Sequence, residues 1–356
     1  MDKKLNVLIL PFNIASMPSI TVKALKERGH NAVGLIIQND IKQSADGLIV
    51  YNHTQTIISR VWTYLRWYLQ FIRLLFWADV IHWCGGFSSG LLKACGPVIK
   101  LLKKPAVVEF LGSDIRNPEI EFINNPYYKQ VFNQGYEYAY ESKSNSISTQ
   151  LDFKKYGFKS IALPGMKQYI DNTIFSHTYE LMQRIDCTAF DVKIPVRDLT
   201  KPLIVHSPSA PICKGTQHVL AAIERLKNEF AFEFILIQNM PHQEAKRHIQ
   251  SCDLFIDQLI IGSYGMATME ALASGKPVIC YLKPSVTKYE LPLDCPIINA
   301  NPDTLETVLR QLLINTKQLS VVGNESRNYA LKYHDINQAL PQLIEVYNKA
   351  IATKNN

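Results

Sequence analysis

The stretch CDLFIDQLIIGSYGMATMEALASGKPVICY, residues 252–281, holds a complete fold motif. Residues 254–256 are a short apolar run of strand type, 266–274 read as a helix, and 278–281 are a second apolar run. Tyr264-Gly265 turns the chain into the helix. Gly275 closes it as a C-cap, and Pro277 prevents continuation. Strand, helix and strand in this order form a βαβ unit, the element of a doubly wound parallel sheet.

Working outward, the same alternation recurs. Upstream, 203–206 and 232–237 read as strands, and 215–226 and 244–250 as helices. In the first half, 5–10 is a strand ended by Pro11-Phe12-Asn13. A helix follows through Lys26, Gly29-His30-Asn31 closes it, and 32–37 is the next strand. Further strands are expected at 79–83 and 106–110, with a Gly-rich loop at 85–90 and a helix near 91–102 between them. Short strands are expected at 144–148 and 160–163. The βα pattern thus runs twice, and the polar, poorly periodic stretch 176–200 is the expected linker. The reading is α/β, with two Rossmann-like doubly wound domains facing each other across a cleft. The expected domains are 1–180 and 195–335. A terminal helical segment, 336–356, is expected to pack back on the first domain through Leu340, Leu343, Ile344 and Tyr347, or else to stay on the second.

Of the 356 residues, 47% are hydrophobic and 19% charged, a globular balance that argues against disorder. The N-terminal apolar run is too short for a secretory leader, and no run is long enough to span a membrane. The seven cysteines are scattered and never in CxxC pairs, which argues for a reducing, cytoplasmic setting and against a zinc site. The net charge of +7 is uneven: residues 1–104 hold 13 Lys/Arg and 5 Asp/Glu, giving +8. Such a half suits an anionic membrane or a phosphorylated acceptor, or is simply a solvated surface. A nucleic-acid partner is not expected, because aromatic and basic residues coincide only in 56–76, where most side chains are too apolar to track a phosphate backbone. That segment carries Trp62, Tyr64, Trp67, Tyr68 and Phe71, with Ser59, Thr63, Arg66, Gln70 and Arg73 in one narrow stripe. It is either an interfacial helix resting on the inner face of the cytoplasmic membrane, or a helix buried on its own domain with the stripe in water.

Two loops lie where open parallel sheets bind ligands, after strand C-termini. In 265–270, the first amides of the helix (Gly265, Met266, Ala267) are donors at a positive helix end, suited to a diphosphate. Glu270, about one turn in, faces the same way and is placed to accept from ribose hydroxyls. In 206–216, Lys214 can set an ammonium against a diphosphate, Gly215 lets the backbone approach, and Thr216 can cap the next helix. Each segment taken alone is also compatible with an ordinary helix start or a solvated lysine.

Together, Lys-Gly-Thr (214–216), Cys-Asp-Leu-Phe-Ile-Asp-Gln-Leu (252–259) and Gly-Ser-Tyr-Gly…Glu-Ala-Leu-Ala-Ser-Gly-Lys-Pro-Val (262–278) resemble the family 4 glycosyltransferases of GT-B fold found in bacterial cell-surface polysaccharide synthesis. Asp79-Val80-Ile81-His82 and 112–116 resemble it less specifically. The resemblance implies a metal-independent, retaining hexosyltransferase. It would move a sugar from a UDP- or GDP-sugar, its co-substrate, to a lipid-linked or glycan acceptor such as a lipopolysaccharide. It implies a donor site of Ser209, Lys214, Gly215, Thr216, Asp257, Tyr264 and 265–270, with Lys214 and Asp114 closest to the chemistry and Asn13 and Ser16 meeting the acceptor. Three positions depart from the pattern: Gly262 stands where the family has a glutamate, Pro208-Ser209 where it has an arginine, and Leu111 where it has a histidine. Asp257 or Gln258 is expected to take over the lost glutamate's sugar contact, or else to cap the strand end. Asp114 orients a substrate, or else closes an Asx-turn beside Arg116. These departures keep two further readings open: a GT-B binding or scaffolding subunit without transfer activity, and a GT-B enzyme of another type, such as a sugar-nucleotide epimerase.

Overall fold

The computed structural model describes residues 3–40, 43–86 and 89–353, so part of the expected 85–90 loop lies outside the described residues. The chain forms two compact units. Unit 1 comprises 1–117, 141–184 and 336–356; unit 2 comprises 118–140 and 185–335.

Among the described residues, unit 1 holds seven strands: β1 (Asn6–Leu10), β2 (Asn31–Ile37), β3 (Leu48–Tyr51), β4 (Val80–Cys84), β5 (Ala106–Phe110), β6 (Lys159–Ala162) and β7 (Thr178–Glu180). They pair in parallel in the order β3-β2-β1-β4-β5-β6-β7. β4 and β5 are buried along their whole length, His82 and Glu109 included, because a sheet covered on both faces leaves its central strands no position in water. The order reverses between β1 and β4, so the loops after these two strands flank the switch point where doubly wound sheets take ligands.

The terminal helix Ile336–Ala352 is part of unit 1. Leu340, Leu343, Ile344 and Tyr347 are buried with Val7, Ile9 and Val80 of the sheet. The helix Ile57–Trp77 is capped by Thr56, whose side chain accepts from the Ser59 amide. Trp67, Phe71, Leu74 and Leu75 are buried, at the i, i+4, i+7, i+8 spacing of a core-facing stripe. Four such side chains contribute about 1.5–3 kcal/mol each to seating the helix on the unit 1 core. No described helix is long and apolar enough to cross a membrane.

Unit 2 is built on β8 (Leu203–His206), β9 (Glu233–Leu236), β10 (Leu254–Ile256), β11 (Val278–Cys280) and β12 (Ile298–Asn299). They are parallel in the order β12-β11-β10-β8-β9, with the reversal between β8 and β10. Gly275 ends the helix Met266–Ala273 with its own amide on the Leu272 carbonyl and that of Lys276 on Ala271, a Schellman closure.

Three features differ from the sequence reading. Residues 144–148 are not a strand but part of the helix Lys143–Lys155. Ser142 caps that helix by accepting from the Asn145 amide, and Phe153 and Gln150 are its buried anchors. The stretch 176–200 is not wholly a linker, since β7 belongs to unit 1 and the chain passes to unit 2 between Arg184 and Ile185. Residues 118–140, which lie within the expected first domain, belong to unit 2. There Tyr128, Val131 and Tyr136 bury against Ala210, Cys213, Ile260 and Ile261.

Candidate functional site

At the β8/β10 reversal of unit 2, two loops leave the sheet side by side. The loop after β8 leads through the short helix Pro211–Lys214 to Gly215, and the loop after β10 begins at Asp257. The backbone ties them, with the Leu259 amide donating to the Lys214 carbonyl at 3.1 Å. Gly215 sits at φ +74°, where a side chain would meet Leu259 and Ile260 at 3.1–3.3 Å, so glycine is needed for the close approach.

The side chains complete the link. The Lys214 ammonium forms a buried ion pair with Asp257 Oδ1. Thr268 Oγ1 donates to Asp257 Oδ2 at 2.6 Å, which ties the first turn of the helix Met266–Ala273 to that pair. Burial opposes the lysine charge, but Asp257 outweighs it and holds the Lys214 pKa above its ordinary value. Lys214 is therefore a permanent cation whose nearest charge is already matched. Two of its three N–H donors are not needed by the single Asp257 oxygen.

His206, at the end of β8, orders the next residue. Its Nδ1 bonds the Ile256 carbonyl at 2.8 Å and its Nε2 the Thr216 hydroxyl at 3.0 Å. Burial pushes the imidazole down to about 4, so at neutral pH it is uncharged, donating from one nitrogen and accepting with the other. The Thr216 hydroxyl is thus committed to His206 and does not cap its helix, which has no side-chain cap.

The helix that starts after Gly265 has extended backbone at its cap and no side-chain cap. Its first amides, from Met266 and Ala267 onward, have no partner within the helix itself. Glu270 is half-buried in the second turn. Tyr264 differs from expectation: its ring is buried and its hydroxyl bonds His334 Nε2 at 2.9 Å and approaches Tyr329 at 3.4 Å. Ser209 is exposed on the loop after β8.

The segment Pro118–Tyr140 shapes these loops, which nothing in the local sequence announced. The Glu137 carboxylate accepts from the Ile212 and Cys213 amides at 2.8 and 2.9 Å. Asn125 Nδ2 donates to the Ile260 carbonyl at 2.7 Å, and Glu121 forms a buried ion pair with Lys283. That pair accounts for Gly262. The residue sits at φ +77°, and a Cβ there would lie 2.9 Å from Lys283 Cβ. Lys283 occupies the space a side chain at 262 would need. Gly262→Glu is therefore expected to destabilise unit 2 by about 1–3 kcal/mol and to leave nucleotide affinity no higher. Thermal unfolding and calorimetry of the variant check this, and a wild-type melting profile would contradict it.

Asp114, Asn13 and Ser16 lie in unit 1, near its own β1/β4 reversal. The Asp114 carboxylate is buried and accepts from the amides of Gly86 (2.8 Å), Leu111 (3.1 Å) and Gly112 (2.7 Å). Burial raises its pKa, and the amides offset part of that rise. It clasps the loop after β4 to the loop after β5. Arg116 pairs with Glu141 at 2.5 Å. Asn13 is buried and donates to Asn39 Oδ1 and the Ser44 carbonyl. Ser16 adopts φ +56° and bonds Gln43 and the Ser44 amide instead of capping its helix. Both fasten the loop after β2 to the loop after β1.

His82, Cys84 and Glu109 also converge in unit 1, near enough for metal ligation. Both Glu109 oxygens are already taken by Arg184, at 2.6 and 2.7 Å. A fixed guanidinium on the only carboxylate of the three makes this donor set a poor fit for a cation.

The whole chain matches solved structures at low identity. The sucrose-phosphate synthase from Thermosynechococcus elongatus superposes with a TM-score of 0.66 at 11% identity, over 99% of this chain and 100% of that one. A glycosyltransferase from Rickettsia africae gives 0.59 at 13% identity, over 99% of each chain. The lipopolysaccharide outer core galactosyltransferase WaaB in its apo form gives 0.54 at 11%, over 98% and 100%. No family model and no curated protein sequence matches the chain. The fold is the two-domain GT-B arrangement of these enzymes.

Proposed function

We propose that this chain is a retaining, metal-independent glycosyltransferase that moves a sugar from a UDP- or GDP-sugar to a lipid-linked or surface-glycan acceptor. One observation carries the reading: Lys214, Asp257 and Thr268 meet at the reversal point of the unit 2 sheet, directly before a helix start whose amides have no partner within the helix. In this reading the helix amides and the two remaining N–H donors of Lys214 receive the diphosphate as its charge develops. Glu270 takes the ribose hydroxyls, and leaving-group charge is met without a metal. Asp257 keeps Lys214 protonated and aimed, so it positions the lysine and is not itself the sugar contact. Asp114, Asn13 and Ser16 hold the unit 1 loops in shape for the acceptor. The solved enzymes that share the fold support a sugar-transfer chemistry.

A second reading is a nucleotide-binding scaffold without transfer, favoured by the neutralised Lys214 and by a Gly262 that cannot regain a side chain. Calorimetric titration of the full chain with UDP and with GDP, followed by assay with the matching labelled sugar nucleotide, separates the two. Binding with transfer supports the enzyme, and binding without transfer supports the scaffold. No binding to either nucleotide overturns both readings of the site.

A further inference from the structure

The helix Ile57–Trp77 has two apolar faces, and only one of them is used. At 100° per residue, Ile58, Trp62, Leu65, Leu69 and Phe76 fall in a sector roughly 60° wide, opposite buried Trp67, Phe71 and Leu74. Their exposure is large: 83% for Ile58, 61% for Trp62 and Leu69, and 68% for Phe76. A solvated helix face is polar, so a continuous apolar stripe on the outside needs something to cover it.

Charge says what covers it. The helix holds Arg60, Arg66 and Arg73, all exposed, and no acidic residue. At its C-terminal end, Lys104 Nζ donates to the carbonyls of Phe76 (3.3 Å) and Ala78 (2.7 Å). This bond joins the stripe to a cavity of about 300 Å³ whose lining includes Lys100, Lys103, Lys104 and Lys159. Exposed Leu101 stands in the same run as Lys100 and Lys103. The nearest carboxylate in sequence, Asp79, is occupied by the Asn6 amide. A second copy of the chain is a poor occupant, because self-pairing of this face would set arginines against arginines. An anionic bilayer satisfies both halves: the stripe enters the acyl boundary, and the arginines and lysines meet headgroup phosphates.

We propose that this face, with the Lys100–Lys104 cluster at its end, is a docking surface for an anionic lipid bilayer. The lysine cavity lies at the N-terminal ends of β5 and β6. The proposal does not depend on the transfer reaction.

The test is co-sedimentation of the full chain with vesicles of phosphatidylcholine alone and of equal parts phosphatidylcholine and phosphatidylglycerol. Binding is expected to the anionic vesicles, weakened by salt. Trp62→Ser/Leu69→Ser is expected to lower it by about tenfold or more. Lys100→Ser/Lys103→Ser is expected to lower it by about thirtyfold on anionic vesicles. All four side chains are exposed, so unchanged circular dichroism and melting accompany either loss. Failure to bind anionic vesicles overturns the proposal. So does binding that ignores both double variants. A dimer in sedimentation velocity that Trp62→Ser/Leu69→Ser dissolves, without vesicle binding, assigns the stripe to a second copy instead.

Discussion

Lys214→Ala is expected to lower sugar transfer by on the order of 10²–10³ and, independently, to weaken unit 2. The two effects have different origins. In the proposed reaction, transfer falls because the donor assigned to the leaving diphosphate is gone. Stability falls because Asp257, with almost no surface exposed, keeps only Thr268 and loses its counter-charge. Removing one partner of a buried pair typically costs about 3–5 kcal/mol, more than the pair itself contributes over an apolar replacement. The double variant Lys214→Met/Asp257→Asn separates the two. It is expected to recover most of the stability, since the amide oxygen of the new side chain still accepts from Thr268, and to recover none of the transfer. Denaturant unfolding and turnover, measured on both variants, provide the check. A double variant with wild-type turnover would remove Lys214 from the reaction. A Lys214→Ala protein as stable as wild type would show that the pair is not buried in solution.

The parallel strands were legible because a covered sheet leaves a nearly continuous apolar run, and β5, β8 and β10 fall at their expected residues. The helix after Gly265 was legible for a local reason as well, since glycine and proline punctuate it. The proximity of Lys214 to Asp257 follows from topology, because strands β8 and β10 are neighbours. Its electrostatic meaning was not legible. Whether a carboxylate meets a sugar, a backbone amide or a lysine depends on direction, which a sequence does not carry. Asp114 illustrates this, with its oxygens spent on three loop amides, and so does Tyr264, whose hydroxyl turns to His334. The excursion 118–140 was the least legible. Its helices are local, with Asn125 capping the one that begins at Pro126, but the surface they cover lies about a hundred residues further on. Residues 144–148 misled because their serines alternate like strand residues, while the deciding signal was the Ser142 cap just before them.

Glu109→Gln is expected to be the most destabilising single change in unit 1. Glu109, Arg184, His82 and Tyr347 are all fully buried within a few ångströms. Arg184 forks onto Glu109 and donates to the Thr21 hydroxyl at 3.1 Å, while His82 Nδ1 bonds the Tyr347 hydroxyl at 2.7 Å. His82 Nε2 lies 3.2 Å from Glu109 Oε2, off the line of a hydrogen bond. This network joins β4 and β5 to the terminal helix and to the residue where the chain leaves unit 1. Glutamine leaves the Arg184 charge unmatched, a cost of about 3–5 kcal/mol and a fall of about 10 °C in the unit 1 melting midpoint. Glu109→Leu/Arg184→Met removes both charges and is expected to melt within a few degrees of wild type. The network also sets a pH dependence. Burial holds the His82 pKa below its ordinary value, so the unfolded chain binds a proton that the folded one excludes. Stability is therefore full above about pH 6.5 and declines as pH falls below it. Burial alone would raise the Glu109 pKa, but Arg184 outweighs it and the net shift is downward. That adds a second loss below about pH 4.5, the ordinary glutamate value, where the unfolded glutamate takes up its proton first. Denaturant unfolding from pH 8 to pH 4 is expected to show the first decline in wild type and a shallower one in His82→Asn, the remainder coming from buried His206 of unit 2. A profile unchanged by that substitution would remove His82 from the acid sensitivity and leave it to other groups such as buried His206.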